Sequence, residues 1–514
     1  MVRNRGIILD LQLSGRDMEI NRRNFIGGAL AAVSANARAV VDIGSLGKER
    51  MRFGVLSDVH VNIAGVKPHL EKTFRKLDSW RVDGILACGD LADLGLEQEL
   101  QMLADTWFKV FPGGKSTLDG REVANLMHYG DHDMSVSYWN RPEVQKAIPD
   151  EETRRRSVIF DNDRKAIWER CFKEPWTPIV HKKVKGYDFV LSHFTRGEPT
   201  NKYGHNTPGL EEFFAARAFD PGKPIFYSQH RVMRNTVLGP SAANLDEGRS
   251  TKLFSKYPNL IAFCGHCHTS CSNEKNIWQG AFTCIEVPSL SYCCTMGGRE
   301  NGYCGADRSP PSPPKPAKTM RQHSSGRTHQ GMLCIVYERA VVFRRWEFEH
   351  DKQIGPDWVV PVESFAMKSC EKPFSYDFRA KNDPVPEFAQ GAKIGLSRLK
   401  SKDRAGVGHN MIVVEFPPAV NPRANDYEVT VELLQGDVER VLCQKRVFSP
   451  RYLYAEEMER ENVTCLFTPE EVPYGWTVRY SVRPVNAFGA KGKAIATPFA
   501  INRKQPPGAP PLQA

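Results

Sequence analysis

The chain has 514 residues, 41% apolar and 25% charged, an ordinary balance for a soluble globular protein of two or three domains. Lysine and arginine total 70 against 60 acids, a formal charge of +10, but the cations are interleaved with acids, as in residues 151–169. That pattern excludes a nucleic-acid-binding stripe and leaves a solvated basic surface. The 13 cysteines, odd in number and irregularly spaced, exclude a small disulfide scaffold.

The N-terminus carries Asn21-Arg22-Arg23-Asn24-Phe25-Ile26, then a weakly apolar run of small residues, Gly27 to Ser34, then Ala35-Asn36-Ala37. Paired arginines before such a run, closed by a small-x-small cleavage site, resemble a twin-arginine export signal. The apolar segment, Phe25 to Ala37, is far shorter than the ~20 residues needed to span a membrane. Residues 1–37 are therefore expected to be a signal peptide, and the mature protein to be periplasmic or secreted. Met18 lies at the spacing of a true start, so residues 1–17 read as an over-long gene start.

From about residue 49 to 350, strand-like runs alternate with helical ones, the pattern of an α/β domain. Strand 53–57 precedes a helix over Lys67 to Trp80, with Leu70, Phe74 and Leu77 on one face. Strand 84–88 precedes a helix over Leu96 to Val110, with Leu100, Leu103 and Trp107 recurring helically. Strands 187–192, 224–228 and 260–264 continue the series, and Met332–Tyr337 with Ala340–Phe348 reads as a closing strand pair. Residues 295–330, rich in Gly, Pro and Ser, read as a mobile loop insertion, and 351–390 as a linker. Six short strands within 391–503 imply an all-β sandwich. Within it, Val482 to Gly489 resembles the penultimate strand and turn of fibronectin type III domains, although Val478 stands at the usual tyrosine position and Pro484 is atypical. Residues 504–514 read as a disordered tail. Cys443 and Cys465 lie on separate predicted strands, where a disulfide after export is open.

Five motifs follow apolar runs of the α/β region: Asp58-Val59-His60, Gly89-Asp90, Gly130-Asp131-His132-Asp133, Gln229-His230 and Gly265-His266-Cys267-His268. Ligand sites in open α/β sheets lie just past the carboxyl ends of strands, so one fold can gather these side chains. Such a mixture of carboxylates and imidazoles suits two divalent metals sharing a bridging carboxylate. Cys264, Cys267 and Cys271 bracket the last motif like a zinc cluster, yet read as small buried residues.

In order and spacing, the five motifs resemble those of the calcineurin-like metallophosphoesterase family, over roughly residues 51–350. The resemblance implies a β-sandwich of two mixed sheets flanked by helices. It assigns Asp58, His60 and His268 to a first metal, Asp90 as the bridge, and Asp131, His230 and His266 to a second. His132 would assist the leaving group, with Asp133 orienting its ring. The implied activity is hydrolysis of phosphomonoesters or phosphodiesters by attack of a metal-bridging hydroxide, with Mn, Fe or Zn as the ions. A small phosphoester is then the partner, and the runners-up are a surface binding protein on a relic fold and a nuclease. Three positions depart from the set. Asp131 stands where the family usually has Asn, which adds an anion beside the second metal and should raise the titration of metal-bound water. Asp93 stands where purple acid phosphatases have tyrosine. His193, after Phe189-Val190-Leu191-Ser192, ends a strand without belonging to the family set and is a candidate substrate contact.

Overall fold

The computed structural model describes residues 46–64, 69–135, 139–195, 205, 207–239, 246, 248–294, 299–301, 329–402, 407–420, 424–449 and 462–504. The signal-peptide and tail expectations, and most of the 295–330 insertion, lie outside these residues.

Two sheets stack in the first region. The first contains β1 (Glu49–Leu56), β2 (Gly84–Cys88) and β3 (Ala124–His128); the second opens with β4 (Ile179–Val184), β5 (Tyr187–Ser192), β6 (Ile225–Ser228), β7 (Leu260–Cys264), β8 (Ile277–Gln279) and β9 (Thr283–Glu286). β10 (Gln330–Tyr337), β11 (Ala340–Glu347), β12 (Lys352–Gln353) and β13 (Trp358–Pro361) complete the first sheet. Its order is β12-β11-β10-β1-β2-β3, with β13 also on β11; the second runs β4-β5-β6-β7-β9-β8. β1, β2 and β3 are parallel, as are β5, β6, β7 and β9.

Strands covered on both faces read as nearly unbroken apolar runs, which is why β2, β7 and β1 were legible. Alternate side chains divide between two cores. Phe53, Val55, Leu86 and Leu126 meet Phe189, Phe226, Ile261 and Phe263 between the sheets. Phe53 is central, with ring centroids 5.1 Å from Phe189 and 5.0 Å from Phe226, both edge-on. Burying such a ring contributes about 2–3 kcal/mol. The other faces of β1–β3 carry α1 (Leu70–Ser79) and α2 (Glu97–Val110), whose Phe74, Leu77, Leu100, Leu103 and Trp107 pack on Leu56, Ile85 and Ala87. The expected sandwich of two mixed sheets flanked by helices is thus the observed fold of this region.

Residues 351–390 are not a linker. β12 and β13 extend the first sheet, and a short helix, Tyr376–Asn382, docks on the second. Buried Trp358 donates to Glu274, which also pairs with Arg345 and Arg379 at 2.7 and 2.8 Å. Strands of two and four residues are too short to show a period, so composition alone misled.

The C-terminal region is a sandwich of β14 (Gly395–Lys402), β15 (Gly408–Phe416) and β18 (Val463–Phe467) over β16 (Asp426–Gln435), β17 (Val438–Phe448), β19 (Thr477–Val485), β20 (Ile495–Ala496) and β21 (Ala500–Ile501). Ile412, Val414 and Phe416 from one sheet share a core with Tyr427, Val429 and Val482 from the other. Cys443 and Cys465 are free thiols. Residues 299–301, expected within a mobile loop, are fastened to this domain. Arg299 pairs with Asp426 at 2.6 Å, and Asn301 accepts from the Phe448 amide at 2.7 Å.

Candidate metal centre

The five motifs converge where strands of the two sheets end. The turn after β1 carries Asp58 and His60, that after β2 Asp90, that after β3 Asp131 and His132; His230 follows β6, and His266 and His268 follow β7. Five of these residues are held in the left-handed region: Asp58 (φ 48°), His60 (46°), Asp90 (51°), His266 (73°) and His268 (53°). Each such non-glycine costs about 1–2 kcal/mol, strain that persists only where surrounding structure enforces it. The motif glycines are a matter of space. A Cβ on Gly265 would lie 1.8 Å from Ser57 Oγ and 2.6 Å from Asp58 Oδ2, and one on Gly130 would lie 2.2 Å from the Asp90 amide nitrogen.

Two quartets of donor atoms result, each within 4.8 Å: Asp58, His60, Asp90 and His268, and Asp90, Asp131, His230 and His266. Asp90 belongs to both. Its Oδ1 accepts the His132 amide at 2.8 Å, while Oδ2 faces His230 Nε2 at 3.1 Å and His60 Nε2 at 3.8 Å. In the first quartet His268 Nε2 lies 3.0 Å from Asp58 Oδ1 and 3.1 Å from His60 Nε2. In the second, Asp131 Oδ1 is 2.9 Å from both His230 Nε2 and His266 Nδ1.

These residues fit divalent ions on their own chemistry. The outer nitrogens are taken: His60 Nδ1 faces Asp93 at 3.0 Å, His230 Nδ1 donates to Cys88 O at 2.6 Å, and His268 Nδ1 donates to Tyr292 O at 3.0 Å. Such bonds fix the tautomer and turn Nε2 inward as a lone pair. Two inward lone pairs, on His60 and His268, then face each other 3.1 Å apart. Asp131 Oδ1 and His230 Nε2 are buried without a hydrogen bond. Orphaned acceptors of this kind are expensive unless a cation sits between them. Burial pushes the Asp58 and Asp131 carboxyls up, but the surrounding imidazoles outweigh it and hold both below the ordinary range. Burial likewise lowers His60, whereas the carboxylates carry His230 and His268 above the usual imidazole value.

His132 stands beside the first quartet, its ring centroid 4.7 Å from that of His60. Its Nδ1 donates to the Asp93 carbonyl at 2.7 Å, and the Asp93 carboxylate is 3.6 Å away. Burial opposes its charge, but Asp90, Asp131 and Asp93 raise its pKa overall. The orienting role expected of Asp133 therefore falls on Asp93. The Asp133 carboxylate accepts backbone N–H bonds from Leu91, Ala92 and Gly130 at 3.1, 2.7 and 2.6 Å and ties the turns after β2 and β3 together. Burial and Asp90 raise its pKa to about 7. Glu99 does the same for the turns after β1 and β2, accepting from Ile63 and Leu94 at 3.1 and 2.9 Å.

His193 is not a substrate contact. It is fully buried, accepts the Tyr129 amide at 3.0 Å, and packs among Trp168, Trp176 and Tyr129. No cysteine belongs to a candidate metal group among the described residues; Cys264, Cys267 and Cys271 are buried thiols.

Sequence reasoning missed Arg231 and Tyr292. The Arg231 guanidinium is 3.7 Å from Asp131 Oδ2 and 5.2 Å from the Phe194 ring centre, with its Nε buried and unbonded. It sets a positive charge against the extra anion at Asp131, and its place next to His230 was the available signal. The exposed ring of Tyr292 lies 4.2 Å from that of His268; nothing in its local sequence marks it.

Residues 51–270 match the model of the Calcineurin-like phosphoesterase family. No curated protein matches the chain. Among solved structures it is similar to GAP50, the anchor in the inner membrane complex of Plasmodium, at 11% identity over 64% of this chain and 92% of that one, with a TM-score of 0.34. A conserved uncharacterized protein (predicted phosphoesterase) from Streptococcus pneumoniae TIGR4 matches at 10% identity over 60% and 97%, with a TM-score of 0.24. Vacuolar Protein Sorting 29 from Cryptosporidium parvum matches at 11% identity over 61% and 97%, with a TM-score of 0.26.

Proposed function

We propose that the calcineurin-like phosphoesterase domain at residues 51–270 makes this chain an exported hydrolase of phosphomonoesters or phosphodiesters. The observation that carries the reading is the pair of donor quartets sharing Asp90, complete in every position and containing buried acceptors without hydrogen bonds. Asp58, His60, Asp90 and His268 would hold one divalent ion, and Asp90, Asp131, His230 and His266 the other. Ions held there would supply positive charge for phosphoryl oxygens and a more acidic water near neutral pH.

The remaining chemistry belongs to the chain itself. His132, held by Asp93, stands to donate a proton or a positive charge to the leaving oxygen. Arg231 offsets Asp131, so that an incoming phosphoryl group meets less net repulsion than the carboxylate alone would give. Asp133 and Glu99 keep the ligand turns rigid, which preserves the geometry on which such catalysis depends.

Export rests on Arg22, Arg23 and the short apolar run before Ala37. Among the described residues no helix is long and apolar enough to cross a membrane. The C-terminal sandwich is read as fibronectin type III-like, supported by the Asn486 turn, in which Asn486 Oδ1 accepts from the Phe488 and Ala490 amides at 3.0 and 2.9 Å.

A panel of phosphomonoesters, linear phosphodiesters and cyclic nucleotides, assayed with Mn, Fe and Zn, tests the activity. Turnover of at least one class, abolished by chelation, is expected; no turnover by protein with both ions bound would defeat the reading. Replacing Arg22 and Arg23 by Lys should leave precursor in the cytoplasm, and unchanged export would refute the signal.

A further inference from the structure

We propose a third metal site, separate from the quartets, in which His69, His329 and Glu349 bind a transition-metal dication of the zinc class. Donor atoms of the three residues lie within 4.8 Å of one another. His69 Nε2 is 3.2 Å from Glu349 Oε2, and the two imidazole centroids are 4.7 Å apart. His329 Nδ1 donates to Leu290 O at 2.6 Å, which leaves Nε2 as its free donor. Burial lowers the His329 pKa, which favours the neutral ring. Glu349 Oε2 is buried without a hydrogen bond. Two imidazoles and one carboxylate make a donor set that zinc accepts.

The site is built on fixed elements. His329 and Glu349 flank the paired ends of β10 and β11, where the Phe348 amide donates to His329 O at 2.7 Å. The His329 and Glu349 amides both donate to Glu347 Oε1, at 3.2 and 3.0 Å. His69 caps the start of α1. Lys72 is the competing cation. Its Nζ donates to the Glu349 carbonyl at 2.7 Å and stands 3.9 Å from Oε2, so it holds the backbone more closely than the carboxylate.

An ion here would clamp α1 to the strand ends and, through Leu290, to the turn behind the first quartet. In that turn the Leu290 and Ser291 amides donate to Ser57 O and Asp58 O at 2.9 and 3.2 Å, and Tyr292 O holds His268. The role is structural: the two imidazoles and the carboxylate would join the start of α1 to the ends of β10 and β11.

The full chain, stripped by chelator, loaded with Zn²⁺ and passed through gel filtration, is counted for metal by mass spectrometry. Wild type should retain one ion more than His69→Gln and one more than Glu349→Gln, each variant losing at least about tenfold in affinity for that ion. Asp90→Asn should keep the ion that these variants lose. Equal counts in wild type and both variants overturn the proposal. Because the readout is stoichiometry, an inactive enzyme that still shows the difference would defeat the phosphoesterase reading alone.

Discussion

The two donor quartets share Asp90 yet are built differently. In the first, every ligand is buried, and the outer nitrogens of His60 and His268 are tied to Asp93 and to the Tyr292 carbonyl. In the second, His230 is equally sealed, but the Asp131 and His266 side chains are 20% and 13% exposed, and Arg231 stands at the rim. A sealed quartet can fix an ion before substrate arrives, whereas an open one leaves room for a phosphoryl oxygen. The difference teaches that the second quartet, unlike the first, is open to an incoming group.

The strongest way to break that comparison is Asp90→Asn, since the bridge serves both sides. It should weaken both ions and cost several kcal/mol, about 10³-fold or more in turnover. Two ions retained with full turnover would refute the shared-ligand scheme. His132→Ala should lose about 10²–10⁴-fold while both ions remain. The loss should be largest for poor leaving groups, and an equal loss across leaving groups would argue against proton donation.

Asp131→Ala separates the quartets: the second ion should weaken by at least about tenfold with the first unchanged, whereas Asp131→Asn should keep both because an oxygen donor remains. Metal titration followed by calorimetry reads this directly, and simultaneous loss of both ions would mean that the quartets are not independent. Glu99→Ala leaves backbone amides of the turns after β1 and β2 without partners and should destabilise by about 3 kcal/mol in urea unfolding. Stability within error of wild type would show that water replaces the carboxylate. The smallest expected effect is that of Arg231→Gln, a rise of about tenfold in KM for an anionic substrate with little change in kcat. Adding Asp131→Asn should recover part of that loss, because the two charges offset one another; no recovery would separate them.

The sequence made the candidate donors legible because each is a chemically distinctive side chain placed just past an apolar strand, and strands buried on both faces announce themselves. Their strain was not legible: the positive φ of Asp58, His60, Asp90, His266 and His268 is enforced by neighbouring turns distant in sequence. The directions of the Asp133 and His193 side chains were not legible for the same reason. Adjacency to His132 suggests contact for Asp133, and a strand end leaves His193 open to either a substrate contact or a buried place, because the direction of a side chain depends on what packs around it. Asp133 turned to three backbone amides, and His193 into an aromatic box.

Composition also failed over residues 351–390, where proline and charge suggested a linker while Trp358, Glu274 and Arg379 lock the segment to the two sheets of the first region. By itself, then, the sequence determined the α/β alternation, the all-β C-terminal region and the residue types gathered into the two donor quartets, since those follow from local periodicity and residue chemistry. Only the tertiary structure decided the sharing of Asp90, the placing of Asp93 behind His60 and His132, and the meeting of Arg231 with Asp131. Those are distances between groups on different turns, and they exist only once the two sheets pack face to face.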